Sequence, residues 1–107
     1  MKLWIDDVRP APEGYVWCLT TNEAKHIIQN VQSLRYITHN ENLPTIELID
    51  IDHDAGDMAR WGGDYIKIMD WMEKQGLSFP IHIHSMNPVG VANMRAIIER
   101  NSWTEVK

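Results

Sequence analysis

Three short apolar stretches in this chain end directly in ionisable side chains, and this feature most restricts the folds available to the sequence. Residues 2–5 run into an acidic pair, residues 46–51 run into an Asp-His-Asp triplet, and residues 81–84 end in a histidine that a serine follows. Short apolar stretches before polar loops are typical of buried strands in a parallel sheet. The carboxyl ends of such strands form the edge at which open α/β sheets bind ligands.

Segments with helical periodicity separate these strands. Residues 15–19 form a further predicted strand, and Thr20-Thr21-Asn22-Glu23 is a capping-box pattern that predicts the start of a helix. A second helix is predicted within residues 62–76, and Asn87-Pro88 suits the start of a third. Strands that alternate with helices predict an α/β fold with a mostly parallel sheet of about four strands and right-handed crossovers.

Three segments depart from this pattern. Only about nine residues separate the first two predicted strands, fewer than the dozen or so that a parallel crossover usually needs. Either a helix is missing there or the pair is arranged differently. Residues 33–45 are polar and rich in breakers, so an irregular connection with at most a short extra turn is predicted. Residues 101–107 are too few for a clear fifth strand and a helix.

Length, charge and cysteine content restrict the functional class. The 107 residues fit one domain, 1–107, with one core, and the single cysteine, Cys18, excludes an internal disulfide. A cytoplasmic location is therefore expected. No apolar stretch is long enough for a membrane span, so no membrane partner is expected. A net charge of −5 without a basic stripe argues against an extended nucleic-acid surface but permits a small phosphorylated ligand or a nucleic-acid end. The oligomeric state is left open.

The polar residues at the three strand ends are predicted to share one edge of the sheet. They are Asp6, Asp7, Arg9, Asp52, His53, Asp54, His84, Ser85 and Asn87. Acids, imidazoles, a hydroxyl and a guanidinium together suit a phosphate ester.

Each residue type has a use in phosphate chemistry. Arg9 can bind phosphate oxygens through two parallel hydrogen bonds, and Ser85 and Asn87 can add donors at the start of a helix. His53 and His84 are the predicted proton-exchanging groups, and the predicted catalytic set also includes their acidic neighbours, Asp52 and Asp54.

Asp6, Asp7 and Asp52 are alternatively predicted to hold a Mg²⁺ ion that binds the phosphate, because Mg²⁺ prefers oxygen ligands. His82 and His84 form an H-x-H pair that would suit zinc, but the sequence offers no clear third ligand.

Structural explanations compete with several of these assignments. An acidic pair after a strand is often a loop that caps a helix, and Arg9 can form a surface ion pair. His82 alternates with isoleucines and is interpreted as a structural histidine, while Trp4 and Trp17 are expected in the core. Asp50 lies inside an apolar strand, where a carboxylate is costly unless it is paired, and the sequence suggests no partner.

Three sequence segments resemble one known family, that of the cyclic-phosphate-processing receiver-like domains. They are Trp4-Ile5-Asp6-Asp7-Val8-Arg9-Pro10, Asp52-His53-Asp54-Ala55-Gly56 and His84-Ser85-Met86-Asn87-Pro88-Val89-Gly90. The resemblance implies a receiver- or flavodoxin-like three-layer sandwich, truncated at the fifth strand. It places Asp6 and Asp7 at metal-binding positions, Asp52 at the phosphoacceptor position and Ser85 at the hydroxyl position. The lysine of ordinary receivers has no clear counterpart, and Arg9 can substitute for it.

Three functions follow as hypotheses. The first, which the resemblance also implies, is a hydrolase that acts on cyclic or terminal phosphates of nucleotides or RNA ends. The second is a receiver-like signalling or nucleotide-binding module without catalysis. The third is a degenerate scaffold whose polar edge only keeps the protein soluble.

Overall fold

A four-stranded parallel sheet forms the centre of the structure, a computed structural model that describes residues 1–107. The strand order across the sheet is β2-β1-β3-β4. The strands are β1 (Lys2–Ile5), β2 (Tyr15–Cys18), β3 (Leu48–Ile51) and β4 (Ile81–Ile83). All four apolar stretches identified in the sequence therefore form strands, and the predicted parallel α/β sheet is confirmed.

Three α-helices and one short 3-10 helix connect and follow the strands. They are α1 (Thr21–Thr38), the 3-10 helix (Gly56–Arg60), α2 (Ile66–Gln75) and α3 (Pro88–Arg100). Asn87 caps α3 as predicted, because its side-chain oxygen accepts a hydrogen bond from the amide of Gly90. None of the α-helices has the length and apolar composition that a membrane span requires.

The helices cover one face of the sheet. The connections from β2 to β3 and from β3 to β4 move in the same direction across the sheet, and right-handed crossovers then place α1 and α2 on the same side. Strand residues of that side, including Leu3, Ile5 and Ile49, are buried in the core. The connection from β1 to β2 runs in the opposite direction across the sheet. A helix in this connection would cover the other face and supply the third layer of a sandwich.

A loop replaces the helix that could connect β1 to β2. The two strands are nevertheless parallel, with Lys2 opposite Tyr15 and Ile5 opposite Cys18. A four-residue strand is about 13 Å long, and nine residues of extended chain can span about twice that distance. A loop is therefore long enough to connect the two parallel strands. Of the two alternatives, a missing helix or a different arrangement of the pair, the structure shows the missing helix. The second face of the sheet has no helix from this connection.

Two tryptophans lie on this second face. Trp4 and Trp17 are opposite each other in the β1–β2 register, and Trp17 is 41% exposed. The expectation that both belong to the core is wrong, because strand alternation directs them away from Leu3 and Ile5.

Helix α1 is longer than the sequence predicted. Residues 33–38 are helical, so the irregular connection predicted for residues 33–45 is wrong in its first part. The last turn extends past the core, with Tyr36 81% and Ile37 72% exposed, and its apolar residues give no amphipathic signal. The helix ends at His39, which adopts a left-handed conformation with φ 54°.

The segment after α3 runs beside β4 without forming a full strand. The amide of Ile81 donates to the carbonyl of Thr104 at 3.0 Å, and the amide of Val106 donates to the carbonyl of Ile81 at 2.7 Å. One parallel bridge, Ile81 with Glu105, results. Beyond β4 the sheet therefore continues only as this single bridge.

The N-cap of α1 provides a test of the local sequence signals. The Thr20 hydroxyl accepts a hydrogen bond from the amide of Glu23 at 3.0 Å. We expect Thr20→Ala to lower the free energy of unfolding by about 0.5–2 kcal/mol, because this amide loses its partner, and Thr20→Ser to keep most of the stability. Urea denaturation with an unchanged m-value is the measurement. Equal stability of the two variants would contradict this capping role.

Candidate functional site

A buried carboxylate after β1 organises the edge of the sheet. Asp6 is 1% exposed, and one of its oxygens, Oδ1, accepts hydrogen bonds from the amides of Val8 and Arg9, each at 2.9 Å. Its other oxygen, Oδ2, accepts from Arg9 Nε and contacts His84 Nε2, again at 2.9 Å. Burial alone would raise the pKa of Asp6, but these amides, His84 and the Arg9 charge lower it. Asp6 is therefore an ionised carboxylate with four partners.

His84 lies between two carboxylates. Its Nε2 faces Asp6 and its Nδ1 lies 2.6 Å from Oδ1 of Asp50. Each ring nitrogen, which can donate or accept, therefore has a carboxylate oxygen within hydrogen-bond distance. Trp4 stacks on this ring with the centroids 4.0 Å apart and the planes 4° from parallel. Asp50, whose partner the sequence did not indicate, is thus paired.

Arg9 connects three of the polar residues and remains partly open to solvent. Besides its bond to Asp6, its Nη2 donates to the carbonyl of His84 at 3.2 Å and lies 3.6 Å from Oδ2 of Asp52. The Arg9 side chain is 46% exposed. It therefore forms an ion pair, as one reading of the sequence proposed, and still presents part of its guanidinium at the edge.

Two indole groups fix the loop that carries these residues. Trp4 Nε1 donates to the carbonyl of Arg9, and Trp17 Nε1 donates to the carbonyl of Asp6, both at 2.8 Å. Both tryptophans lie on the face that the β1–β2 connection leaves without a helix. The loop is thus held by side chains of the sheet.

The acidic cluster consists of Asp6, Asp7 and Asp52. One carboxylate oxygen from each residue lies within 4.8 Å of the others. Burial and the charges of Asp6 and Asp52 raise the pKa of Asp7. Three oxygen donors and one nearby arginine leave an excess of negative charge, which fits a hard divalent cation such as Mg²⁺.

Gly56, at the start of the 3-10 helix, closes one side of the acidic cluster. A Cβ at this position would lie 2.7 Å from Oδ2 of Asp7, and the backbone has φ 55°. Only glycine combines that conformation with so close an approach.

A second polar group surrounds the start of α3. His53 Nδ1 lies 2.8 Å from Oδ1 of Asp54, and Asn87 Nδ2 donates to both oxygens of Asp54 at 3.3 Å. The hydrogen bond with His53 and the contact with Asn87 lower the pKa of Asp54. The Ser85 hydroxyl accepts from the amide of Asn87 at 3.1 Å. The His53 ring packs on Gly90, where a Cβ would clash with the ring.

The structure thus divides the predicted residues into two neighbouring groups. The first contains Asp6, Asp7, Arg9, Asp52 and His84, and the second contains His53, Asp54, Ser85 and Asn87. Asp52 and His53 are adjacent, and Oδ1 of Asp52 accepts a hydrogen bond from the His53 amide at 2.8 Å. No hydrogen bond joins the two histidine rings.

The zinc alternative finds no support in the geometry. His82 Nδ1 contacts the carbonyl of Val106 at 2.8 Å, and both nitrogens of His84 face carboxylates. The His82 contact agrees with its interpretation as a structural histidine, because it links β4 to the last segment of the chain.

Sequence reasoning missed Asp50 and Trp4 as members of the site. Strand register contains the signal, because Trp4, Asp50 and His82 are opposite one another on neighbouring strands. His84 follows His82 by two positions and therefore points to the same side of the sheet. The alternation of side chains along the strands therefore places an acid, an aromatic ring and a histidine on one face of the sheet. This pattern indicates the contacts of His84 with Asp50 and Trp4.

The fold and the polar edge define a class of protein. A parallel sheet of order β2-β1-β3-β4, with acids after β1 and β3 and a hydroxyl after β4, is a receiver-like α/β domain.

A family model described as "Cyclic-phosphate processing Receiver domain" matches residues 1–100. The chain therefore belongs to the cyclic-phosphate processing receiver domain family. No curated protein and no solved structure matches the chain. The match of the family model confirms the family resemblance that the three sequence segments indicate.

The two strand histidines provide a matched comparison for the buried charges. We expect His84→Ala to destabilise the domain by about 3–5 kcal/mol, because the carboxylates of Asp6 and Asp50 are buried and each loses its ring-nitrogen partner. His82→Ala removes one contact to the carbonyl of Val106 and is expected to cost about 1 kcal/mol. Guanidinium denaturation measures both. A similar loss in the two variants would contradict the special role of His84.

Proposed function

We propose that this domain is a phosphoesterase that acts on cyclic or terminal phosphates of nucleotides or RNA ends. One observation carries the proposal: the side chain of Arg9, which is 46% exposed, lies beside the acidic cluster of Asp6, Asp7 and Asp52 at the carboxyl edge of the sheet. This edge is where open parallel sheets bind ligands. A guanidinium next to a cation site is suited to binding the negatively charged oxygens of a phosphate ester. The domain is proposed to act in the cytoplasm on a small phosphorylated ligand or a nucleic-acid end.

Phosphate binding is assigned to Arg9 and the acidic cluster. Nε of Arg9 is bonded to Asp6, so the side chain is oriented while its terminal nitrogens are in looser contacts of 3.2 and 3.6 Å. A guanidinium fixed in this way can donate two hydrogen bonds to phosphate oxygens. Asp6, Asp7 and Asp52 would hold Mg²⁺. The ion would neutralise phosphate charge and polarise the P–O bond.

Proton transfer is assigned to His53. Its Nδ1 is held by Asp54, whereas its Nε2 makes no hydrogen bond within the protein. A histidine with one nitrogen oriented by a carboxylate and the other free can accept a proton from water and return it to the leaving oxygen. The His53 side chain is 14% exposed, so solvent reaches it.

His84 receives a positioning role in this scheme. Proton exchange was also predicted for His84, but both of its nitrogens face carboxylates and its side chain is 9% exposed. We propose that its contact through Nε2 fixes Asp6, and through Asp6 the orientation of Arg9. Ser85 and Asn87 keep their proposed place near the substrate, where they also order the start of α3.

A second candidate function is a receiver-like module that accepts a phosphoryl group on Asp52. Asp52 follows β3, its side chain is 14% exposed, and Arg9 lies 3.6 Å from its Oδ2. A carboxylate oxygen with no closer partner than this arginine could be phosphorylated without unfolding the edge.

A phosphorus NMR time course tests the proposed activity. We expect 2′,3′-cyclic nucleotides and a cyclic-phosphate RNA end to be converted faster with Mg²⁺ than without it, and His53→Ala to reduce conversion by about 10²-fold or more, because a general base is lost. His39→Asn is the matched control, since His39 ends α1 in a left-handed conformation that asparagine tolerates. Its conversion should equal that of the wild type.

Two results would contradict the phosphoesterase. Absence of conversion with and without Mg²⁺ would exclude these substrates, and full activity in His53→Ala would remove the proton-transfer assignment. Hydroxylamine-sensitive phosphorylation that Asp52→Asn abolishes, without turnover, would support the second candidate.

A further inference from the structure

A groove of about 570 Å³ lies at the start of α1, next to the 3-10 helix. Its lining is contributed by the first turns of α1 and by the 3-10 helix and the residue after it. The lining residues are Thr20, Asn22, Glu23, His26, Met58 and Trp61. The function proposed above assigns no role to this groove.

The 3-10 helix connects the groove to the acidic cluster. Gly56, its first residue, touches Asp7 so closely that a Cβ would lie 2.7 Å from the carboxylate. A 3-10 helix rises about 2 Å per residue, which places Met58 about 4 Å and Trp61 about 10 Å further along it. The groove therefore begins within one small molecule's length of the acidic cluster.

The wall of the groove that carries Trp61 is fixed in position. The amide of Asn22 donates to the carbonyl of Trp61 at 3.1 Å, which ties the 3-10 segment to α1. The guanidinium of Arg60 lies 5.9 Å from the centroid of the Trp61 ring. Trp61 is nevertheless 52% exposed, and Met58 beside it is partly buried against the core. An indole and a thioether thus form an accessible apolar surface on an ordered segment.

The charges of the lining residues favour binding of an uncharged portion of a ligand. Glu23 is the only acid among the six residues, and no lysine or arginine is present. A phosphate group would be repelled by Glu23 and would find no cation among the six lining residues. Asn22, Glu23 and His26 instead provide side-chain donors and acceptors next to an aromatic face, a combination that suits a planar heterocycle with polar edges.

We propose that this groove binds the nucleobase of a nucleotide whose phosphate lies at Arg9 and the acidic cluster. The inference rests on the proposed function, since it takes the phosphate position from it. The base stacks on Trp61 beside Met58, and the polar side chains at the start of α1 contact its edge. The substrate class is thereby narrowed to compounds with a base attached near the phosphate, rather than sugar phosphates or inorganic phosphate.

A pair of ligands separates base binding from phosphate binding. We expect 2′,3′-cyclic AMP to bind about tenfold more tightly than ribose 2′,3′-cyclic phosphate, which lacks the base. Trp61→Ala should abolish this difference by weakening only the cyclic nucleotide, and Trp61→Phe should keep most of it. Phosphorus NMR titration measures the affinities and shows any turnover in the same spectra.

Met86→Ala is the matched control, because Met86 is also apolar and is 87% exposed in the β4–α3 loop. It should leave both affinities unchanged. If the wild type binds the two ligands equally, or if Trp61→Ala weakens both equally, the inference is overturned while the phosphate site stands. If neither ligand binds the wild type, the proposed function fails and the inference fails with it.

Discussion

A carboxylate that is almost fully buried must be surrounded by hydrogen-bond donors, and the polar edge of this domain is built from the donors that Asp6 requires. Two amides of its own loop, the Arg9 side chain and the His84 ring all point to its oxygens. These contacts turn the loop after β1 back on itself, orient Arg9 toward Asp52 and fix His84 against Asp50. Without this buried charge, Arg9 would have no fixed orientation at the edge, and the proposed phosphate contact depends on that orientation.

The short connection between β1 and β2 makes this arrangement possible. Because a loop replaces a helix there, one face of the sheet remains open enough for Trp4 and Trp17 to reach the loop and bond its carbonyls. Trp4 also covers the ring of His84. The third layer that a full sandwich would provide is thus replaced locally by aromatic side chains, which pack on the charged residues and hold them.

The sequence could predict the strands and the starts of α1 and α3 because each has a local cause: apolar stretches end in polar residues, and Thr20 and Asn87 cap their own helices. The clustering of Asp6, Asp7 and Asp52 also followed from the rule that parallel strands end at one edge. The end of α1 could not be predicted, since its last turn projects beyond the core. The pairing of Asp50 with His84, which are 34 residues apart in the chain, depends on the register of β3 against β4, so the apolar pattern alone does not predict it.

A ¹H–¹⁵N spectrum of the protein, titrated with a 2′,3′-cyclic nucleotide in the presence of Mg²⁺, tests most directly whether the polar edge binds phosphate. The five tryptophans supply five indole signals, and those of Trp4 and Trp17 report on the carbonyls of Arg9 and Asp6. If the polar edge binds the phosphate, these two signals and the amides of the β1–β2 loop shift on binding, while those of Trp71 and Trp103, which pack against the core, stay unchanged. Shifts confined to Trp71 and Trp103, or no shifts at all, would contradict the assignment of this edge as the phosphate site.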